Sequence, residues 1–279
     1  MEASEECIVL LDNGSLRPEA VFSLRTIAMN LERAIGKKVH PVSLLHSSKI
    51  PAEKLGGVEA ETWRRFLRRR IEGGVVRFRV VPLFFGPSSA IADYLPKVTA
   101  EVIGALEGVE LQVARPLVDA ENRSDDAVAC ILEELLIQKL DTQESKAACG
   151  VVVVDHGSPV EAVAKCRDLV AAQLEKRLGE RVLGVVAASM ERREGMEYAF
   201  NEPLLESALE MAAQRGWQRL ILSYMFFSPG RHAGAGGDID EIVAASDFVK
   251  RGGEVLSAPL VGRSSLLIDL LARRYRESL

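Results

Sequence analysis

The chain repeats itself. IVLLDNGSLRPEAV, beginning at Ile8, is answered by VVVVDHGSPVEAV from Val151, which sets Asp155 143 positions after Asp12. VVPLFFGPSS from Val80 is answered by LSYMFFSPGR from Leu222, which sets Phe226 142 positions after Phe84. Two separate motifs that keep nearly one spacing indicate a duplicated structural unit, and a duplication of this length leaves room for one α/β layer architecture per copy.

Each copy alternates short apolar runs with amphipathic stretches. Runs such as VVVV and LILSYMFF are apolar at consecutive positions, as expected of strands covered on both faces by helices. In the first half the pattern predicts strands at Cys7–Leu11, Val39–Leu44, Val76–Pro82 and Glu110–Ala114, with helices near Glu19–Ile35, Ala60–Glu72, Ile91–Gly104 and Asp125–Lys139. In the second it predicts strands at Gly150–Val154, Val182–Ala188, Leu220–Tyr224 and Glu254–Ala258, with helices near Val160–Leu178, Leu204–Gln214, Ile239–Lys250 and Ser265–Glu277. The expected fold is two tandem, doubly wound parallel-sheet α/β units. Their expected limits are 1–140 and 147–279, joined by the polar linker DTQESK at 141–146.

Composition narrows the function classes. With 35 Lys and Arg against 40 Asp and Glu, the net charge of −5 argues against a nucleic-acid surface. No apolar run is long enough to span a bilayer, and the acidic start MEASEEC does not resemble an export signal. Cys7, Cys130, Cys149 and Cys166 form no CxxC pair and read as core residues in a reducing, cytoplasmic setting.

In open parallel sheets ligands collect beyond the carboxyl ends of the strands. Two of the four histidines stand there: His156 in Asp155-His156-Gly157-Ser158, and His232 in Phe227-Ser228-Pro229-Gly230-Arg231-His232. Gly157 and its neighbours allow close backbone approach to a ligand. Neutral imidazole can hold a divalent transition metal or accept a proton. No nearby cysteine or third histidine completes a closed zinc site, so an open, transient metal site is expected.

These residues resemble the class II tetrapyrrole chelatases of the CbiX and SirB type. The resemblance rests on VVDHGS at Val153–Ser158, on Met196-Glu197 and Glu202-Pro203, and on FFSPGRH at Phe226–His232 followed by Asp238-Ile239. It covers the second half in matched order and the first half more weakly. It implies insertion of Co²⁺, Fe²⁺ or Ni²⁺ as substrate into sirohydrochlorin or a relative, with no permanently bound cofactor. His156 and His232 match the family's two histidines, expected to bind the metal and accept the pyrrole protons. The family's HME stretch has two counterparts here, Met190-Glu191 and Met196-Glu197, so Glu191 and Glu197 are both candidates. Arg231 is the best-placed cation for the carboxylate rim of such a substrate, ahead of Arg192 and Arg193. Ser158 is expected to cap the following helix. The glycine-rich AGAGGD after His232 is either a lid or a plain connection.

In the first repeat Asn13 stands where His156 does, and Ser88-Ser89-Ala90 replaces the region of His232. That half is not expected to insert metal alone. His46, in LLHSSKIP, falls near the family's HME histidine and is a candidate to reach the site across a pseudo-two-fold; the competing reading is a surface histidine at a strand end. The duplication implies a monomer with pseudo-dimeric halves. Two other functions fit the same residues: a metal or tetrapyrrole carrier without catalysis, and a hydrolase using Ser158, although no GxSxG elbow is present.

Overall fold

The computed structural model describes residues 6–104, 106–140 and 148–279. The 141–146 linker lies outside the described residues. The chain divides into two compact units, residues 1–117 with 268–279, and residues 118–267.

The first unit is built on β1 (Cys7–Asp12), β2 (Val39–Ser43), β3 (Arg77–Pro82) and β4 (Glu110–Val113), all parallel in the order β2-β1-β3-β4. Helices α1 (Pro18–Ile35), α2 (Trp63–Glu72) and α3 (Leu95–Ile103) connect them. Parallel neighbours require crossovers, and the apolar faces of these helices cover the sheet. Trp63, Phe66, Leu67, Leu95 and Val98 pack with Val9, Leu11, Val42, Phe78 and Val80.

The second unit repeats the plan. Its strands β5 (Gly150–Asp155), β6 (Val185–Ser189), β7 (Arg219–Tyr224) and β8 (Glu254–Ser257) run parallel in the order β6-β5-β7-β8. Every residue of β5 is buried, which explains its unbroken apolar run. Its helices are α4 (Ala127–Leu140), α5 (Glu161–Leu178), α6 (Leu205–Gln214), α7 (Asp238–Ala245) and α8 (Asp247–Lys250).

The terminal helices depart from the order of the repeats. In sequence α4 ends the first repeat, yet it belongs to the second unit, where it buries Val128, Ile131, Leu132, Leu135 and Leu136. Arg177 of α5 donates to Glu133 at 2.6 Å and to Asp126 at 2.8 Å. The last helix, α9 (Leu266–Glu277), is counted from Ile268 with the first unit, where buried Arg274 donates to the carbonyls of Pro116 at 3.0 Å and Leu117 at 2.8 Å. The compact units therefore exchange the final helix of each repeat relative to the boundaries at 1–140 and 147–279.

Three of the element limits that differ from the sequence pattern have a clear local cause. The helix expected from Ala60 starts at Trp63, because Thr62 is extended and bridges Ser43. The strand expected from Val182 starts at Val185, Val182 being buried in the preceding turn instead. The helix expected over Ile239–Lys250 breaks at Ser246, whose hydroxyl accepts from Val249 N and starts α8.

Candidate metal and proton-transfer site

The site lies at the carboxyl edge of the second sheet. His156 immediately follows β5, and His232 sits in the turn between β7 and α7. Strands β5 and β7 are neighbours, so two residues 76 apart in sequence come together: His156 Nε2 lies 3.2 Å from His232 Nε2, with ring centroids 4.6 Å apart. Glu191, two residues past β6, places Oε1 3.6 Å from His156 Nε2. The side chains of His156 and Glu191 are 49% and 60% exposed and that of His232 is 23% exposed, so the group faces an opening.

The other ring nitrogens are occupied. His232 Nδ1 meets Asp238 Oδ2 at 2.7 Å, and Asp238 opens α7. His156 Nδ1 lies 3.3 Å from the Gly157 carbonyl. A carboxylate and a carbonyl are acceptors, so each Nδ1 carries the proton of the neutral ring. In that tautomer both lone pairs lie on the two Nε2 atoms that approach each other, an arrangement that a cation between them stabilises. Nitrogens about 2.0–2.1 Å from one ion at angles between octahedral and tetrahedral stand about 2.8–3.4 Å apart, a range that includes the observed 3.2 Å. Among the described residues no group of three or more His, Cys, Asp or Glu side chains is arranged to hold a metal ion. A two-nitrogen seat with a looser carboxylate beside it suits an ion that arrives and leaves.

The loop carrying His156 is held from beneath. Gly157 adopts φ +89°, and a Cβ there would stand 1.9 Å from the Glu191 carbonyl oxygen, so this close approach admits only glycine. Asp155 Oδ1 accepts from Gly157 N at 3.0 Å and from the Ser189 hydroxyl at 2.6 Å; burial raises its pKa, opposed by the nearby Arg167 guanidinium. Buried Asn201 clamps the far side of the loop, accepting from Ser158 N at 3.0 Å and donating to Ser158 O at 2.9 Å.

The other candidate residues fall as follows. Glu191 stands beside His156, whereas the Glu197 carboxylate folds over Gly195 and forms no ion pair among the described residues. Ser158 does not cap α5: its hydroxyl accepts from Val160 N at 3.1 Å, one residue before the helix, because the loop needs a further residue to reach the helix start. Among the described residues its hydrogen bonds include none to a histidine, so the Ser–His dyad of a hydrolase is not assembled. Arg231 shares Asp238 Oδ2 with His232, at 3.2 Å, and is otherwise exposed. Arg192 is tied to Glu202 at 2.6 Å. The AGAGGD segment is a tight turn closed by Gly237 N to Gly234 O at 2.9 Å. His46 belongs to the first unit, exposed, with φ +64°.

Sequence reasoning noted Asp238 within a motif but gave it no task, and it missed Arg167, Ser189 and Asn201. Arg167 had a signal: it lies on the same stripe of α5 as buried Ala164, Val170, Ala171 and Leu174, where a charge is out of place unless paired.

Residues 150–278 match the profile of the CbiX family. No curated sequence relative matches the chain. Among solved structures, "SirB from Bacillus subtilis with Fe3+" superposes with a TM-score of 0.70 at 14% identity, covering 98% of this chain and 95% of that one. A sirohydrochlorin chelatase SirB from Bacillus subtilis subspecies spizizenii in complex with cobalt gives 0.67 at 12% identity, with the same coverage. CbiX, described as the terminal enzyme for biosynthesis of siroheme in denitrifying bacteria, gives 0.63 at 15% identity over 98% of this chain and 99% of that one. At these identities the superpositions establish a common fold of two tandem α/β units.

Proposed function

From the match of residues 150–278 to the CbiX family profile and from the site geometry, we propose that the chain inserts a divalent metal ion, Co²⁺, Fe²⁺ or Ni²⁺, into sirohydrochlorin or a close tetrapyrrole relative. The observation that carries this reading is the pair of opposed imidazole nitrogens, 3.2 Å apart, with both Nδ1 atoms already engaged.

Metallation exchanges one M²⁺ for two pyrrole N–H protons. Neutral His156 and His232 hold the incoming ion through Nε2, and each lone pair is freed when the ion passes to the macrocycle nitrogens. Each imidazole then takes one proton, and the charges balance. Asp238 stabilises the imidazolium that forms at His232, and Glu191 does the same for His156. Imidazole suits Co²⁺, Fe²⁺ and Ni²⁺ alike, so these ligands do not choose the metal. Arg231, beside His232, receives a substrate carboxylate. The chain acts in the cytoplasm as a monomer, without a resident cofactor.

A carrier using the same residues is the competing reading, and the thinness of the metal seat favours transfer over storage. Anaerobic absorbance spectroscopy of the protein with sirohydrochlorin and Co²⁺ or Fe²⁺ separates them. Metallation faster than a protein-free control supports the chelatase; tight macrocycle binding with no acceleration overturns it in favour of the carrier.

A further inference from the structure

We propose that Arg167 is a positioning residue for the histidine pair, holding the His156 loop in register without touching either ring; the proposal rests on the chelatase reading for its effect on turnover and on geometry alone for its effect on metal binding. Arg167 sits on α5 and is 1% exposed. All five of its N–H donors are used. Nε and Nη2 bond Asp168 Oδ1 at 2.9 and 2.7 Å, Nη2 also bonds the Phe200 carbonyl at 3.2 Å, and Nη1 bonds the Asn201 carbonyl at 3.1 Å and the Ser189 hydroxyl.

Those partners lead to both ends of the loop. Ser189 donates to Asp155, which in turn receives Gly157 N; Asn201 clamps Ser158 from both sides. One guanidinium therefore ties down the residues on either side of His156. Ser189 also leads into the segment that carries Glu191, whose amide donates to His156 O at 3.2 Å.

The first unit supplies an internal control. Helices α1 and α5 are both 18 residues long and keep the 143-residue spacing, which sets Leu24 against Arg167. The loop itself is unchanged: Gly14 has φ +90° and its Cβ would meet the Leu45 carbonyl at 1.8 Å, as Gly157 meets that of Glu191. The strand-loop-helix turn thus folds with a buried leucine. Arg25, one position along, donates to the Val58 and Glu59 carbonyls, the counterparts of Phe200 and Asn201, but the link onward to Ser43 and Asp12 is missing. A cavity of about 190 Å³ borders Leu24, Ser43, Val58 and Glu59, and Asp12 Oδ1 is buried without a hydrogen-bond partner among the described residues. In that unit Asn13 replaces the histidine, Leu45 the glutamate, Ala90 the second histidine and Pro96 the aspartate. An arginine at this position accompanies the histidines, whereas the first unit forms the same turn with leucine there.

The test uses the full chain and two variants, Arg167→Leu, which copies the first unit, and Ser189→Ala, which cuts the link with less disturbance. Co²⁺ alone is titrated and followed by its visible absorption, and turnover with sirohydrochlorin is measured alongside. Supporting partners of metal-binding histidines are worth about 10–100-fold in affinity or activity, so Arg167→Leu is expected to weaken histidine-dependent Co²⁺ binding and lower kcat by about that factor, with KM for the macrocycle within about twofold. Ser189→Ala is expected to lie between it and the wild type, and carries the test if Arg167→Leu does not fold. Variants that lose only thermal stability while binding Co²⁺ as the wild type does overturn the proposal. Weakened Co²⁺ binding in a protein that metallates nothing would uphold the positioning role and reject the chelatase reading.

Discussion

At the scale of single residues, the proposed site divides into groups that would touch the ion and groups that aim them. Asp238 orients His232 at 2.7 Å, so Asp238→Asn is expected to reduce Co²⁺ affinity about 10–100-fold while leaving the fold intact, measured by metal titration and circular dichroism. Glu191→Gln is expected to slow metallation about tenfold or more, as loss of a charge beside a proton acceptor should. Glu197→Gln, folded over Gly195 away from that contact, is expected to stay within about twofold. The first unit makes a separate prediction. Burial pushes the Asp12 carboxyl up to about 6, and it lacks the guanidinium that faces Asp155. A carboxyl whose folded pKa is raised holds its proton better in the native state, so its contribution to stability falls as pH rises from about 4 to about 6. Asp12→Asn removes that loss, and its gain over the wild type is expected to grow across this window and level at up to about 3 kcal/mol above it, read by urea denaturation at several pH values. His40, lowered to about 4 by burial beside Arg70, titrates over the same range with the opposite sign, so the difference between variant and wild type is the informative quantity. A gain that does not change with pH would contradict the account.

At the scale of elements, the turn after β5 is the critical one. Gly157→Ala places a Cβ against the Glu191 carbonyl at a φ of +89°, whereas Gly216, at φ +73°, has open space where its Cβ would go. The expected costs are at least about 3 kcal/mol for Gly157→Ala and about 1 kcal/mol for Gly216→Ala, measured by chemical denaturation. Equal costs would mean the close approach is not what selects glycine. Strands such as β1 and β5 could be read from the sequence because burial on both faces writes itself as an unbroken apolar run. Edges were harder. Val182 is buried outside the sheet and so mimics a strand residue, and the break at Ser246 is set by a capping hydroxyl within an otherwise helical pattern. The histidine pair was visible because each residue ends a strand. The polar floor beneath it was not, since Ser189, Asn201 and Arg167 come from three elements and meet only in the folded unit.

At the scale of the whole molecule, the repeat in the sequence and the compact units in space divide the chain differently. In residues 118–267, α4 contributes five large buried side chains, each worth about 1.5–3 kcal/mol on burial, so its removal forfeits on the order of 10 kcal/mol, comparable to the stability of an entire domain. A fragment of residues 118–267 is therefore expected to unfold cooperatively, and one of residues 147–279 is expected to be unfolded or aggregated; a cooperative 147–279 fragment would contradict this. The exchange of helices could not be read from the repeat, because the amphipathic pattern of α4 and α9 says which face is buried but not against which sheet. The proposed chemistry is assigned to the repeat that keeps both histidines. The most direct measurement is the anaerobic rate of Co²⁺ insertion into sirohydrochlorin by the wild type, His156→Ala and His232→Ala, followed by absorbance. The wild type should exceed the protein-free rate, and each variant should lose about 10²–10⁴-fold, as expected for removal of a proton acceptor that also holds the ion. Variants as fast as the wild type, or a wild type no faster than the control, would contradict the assignment of metal and proton chemistry to this pair.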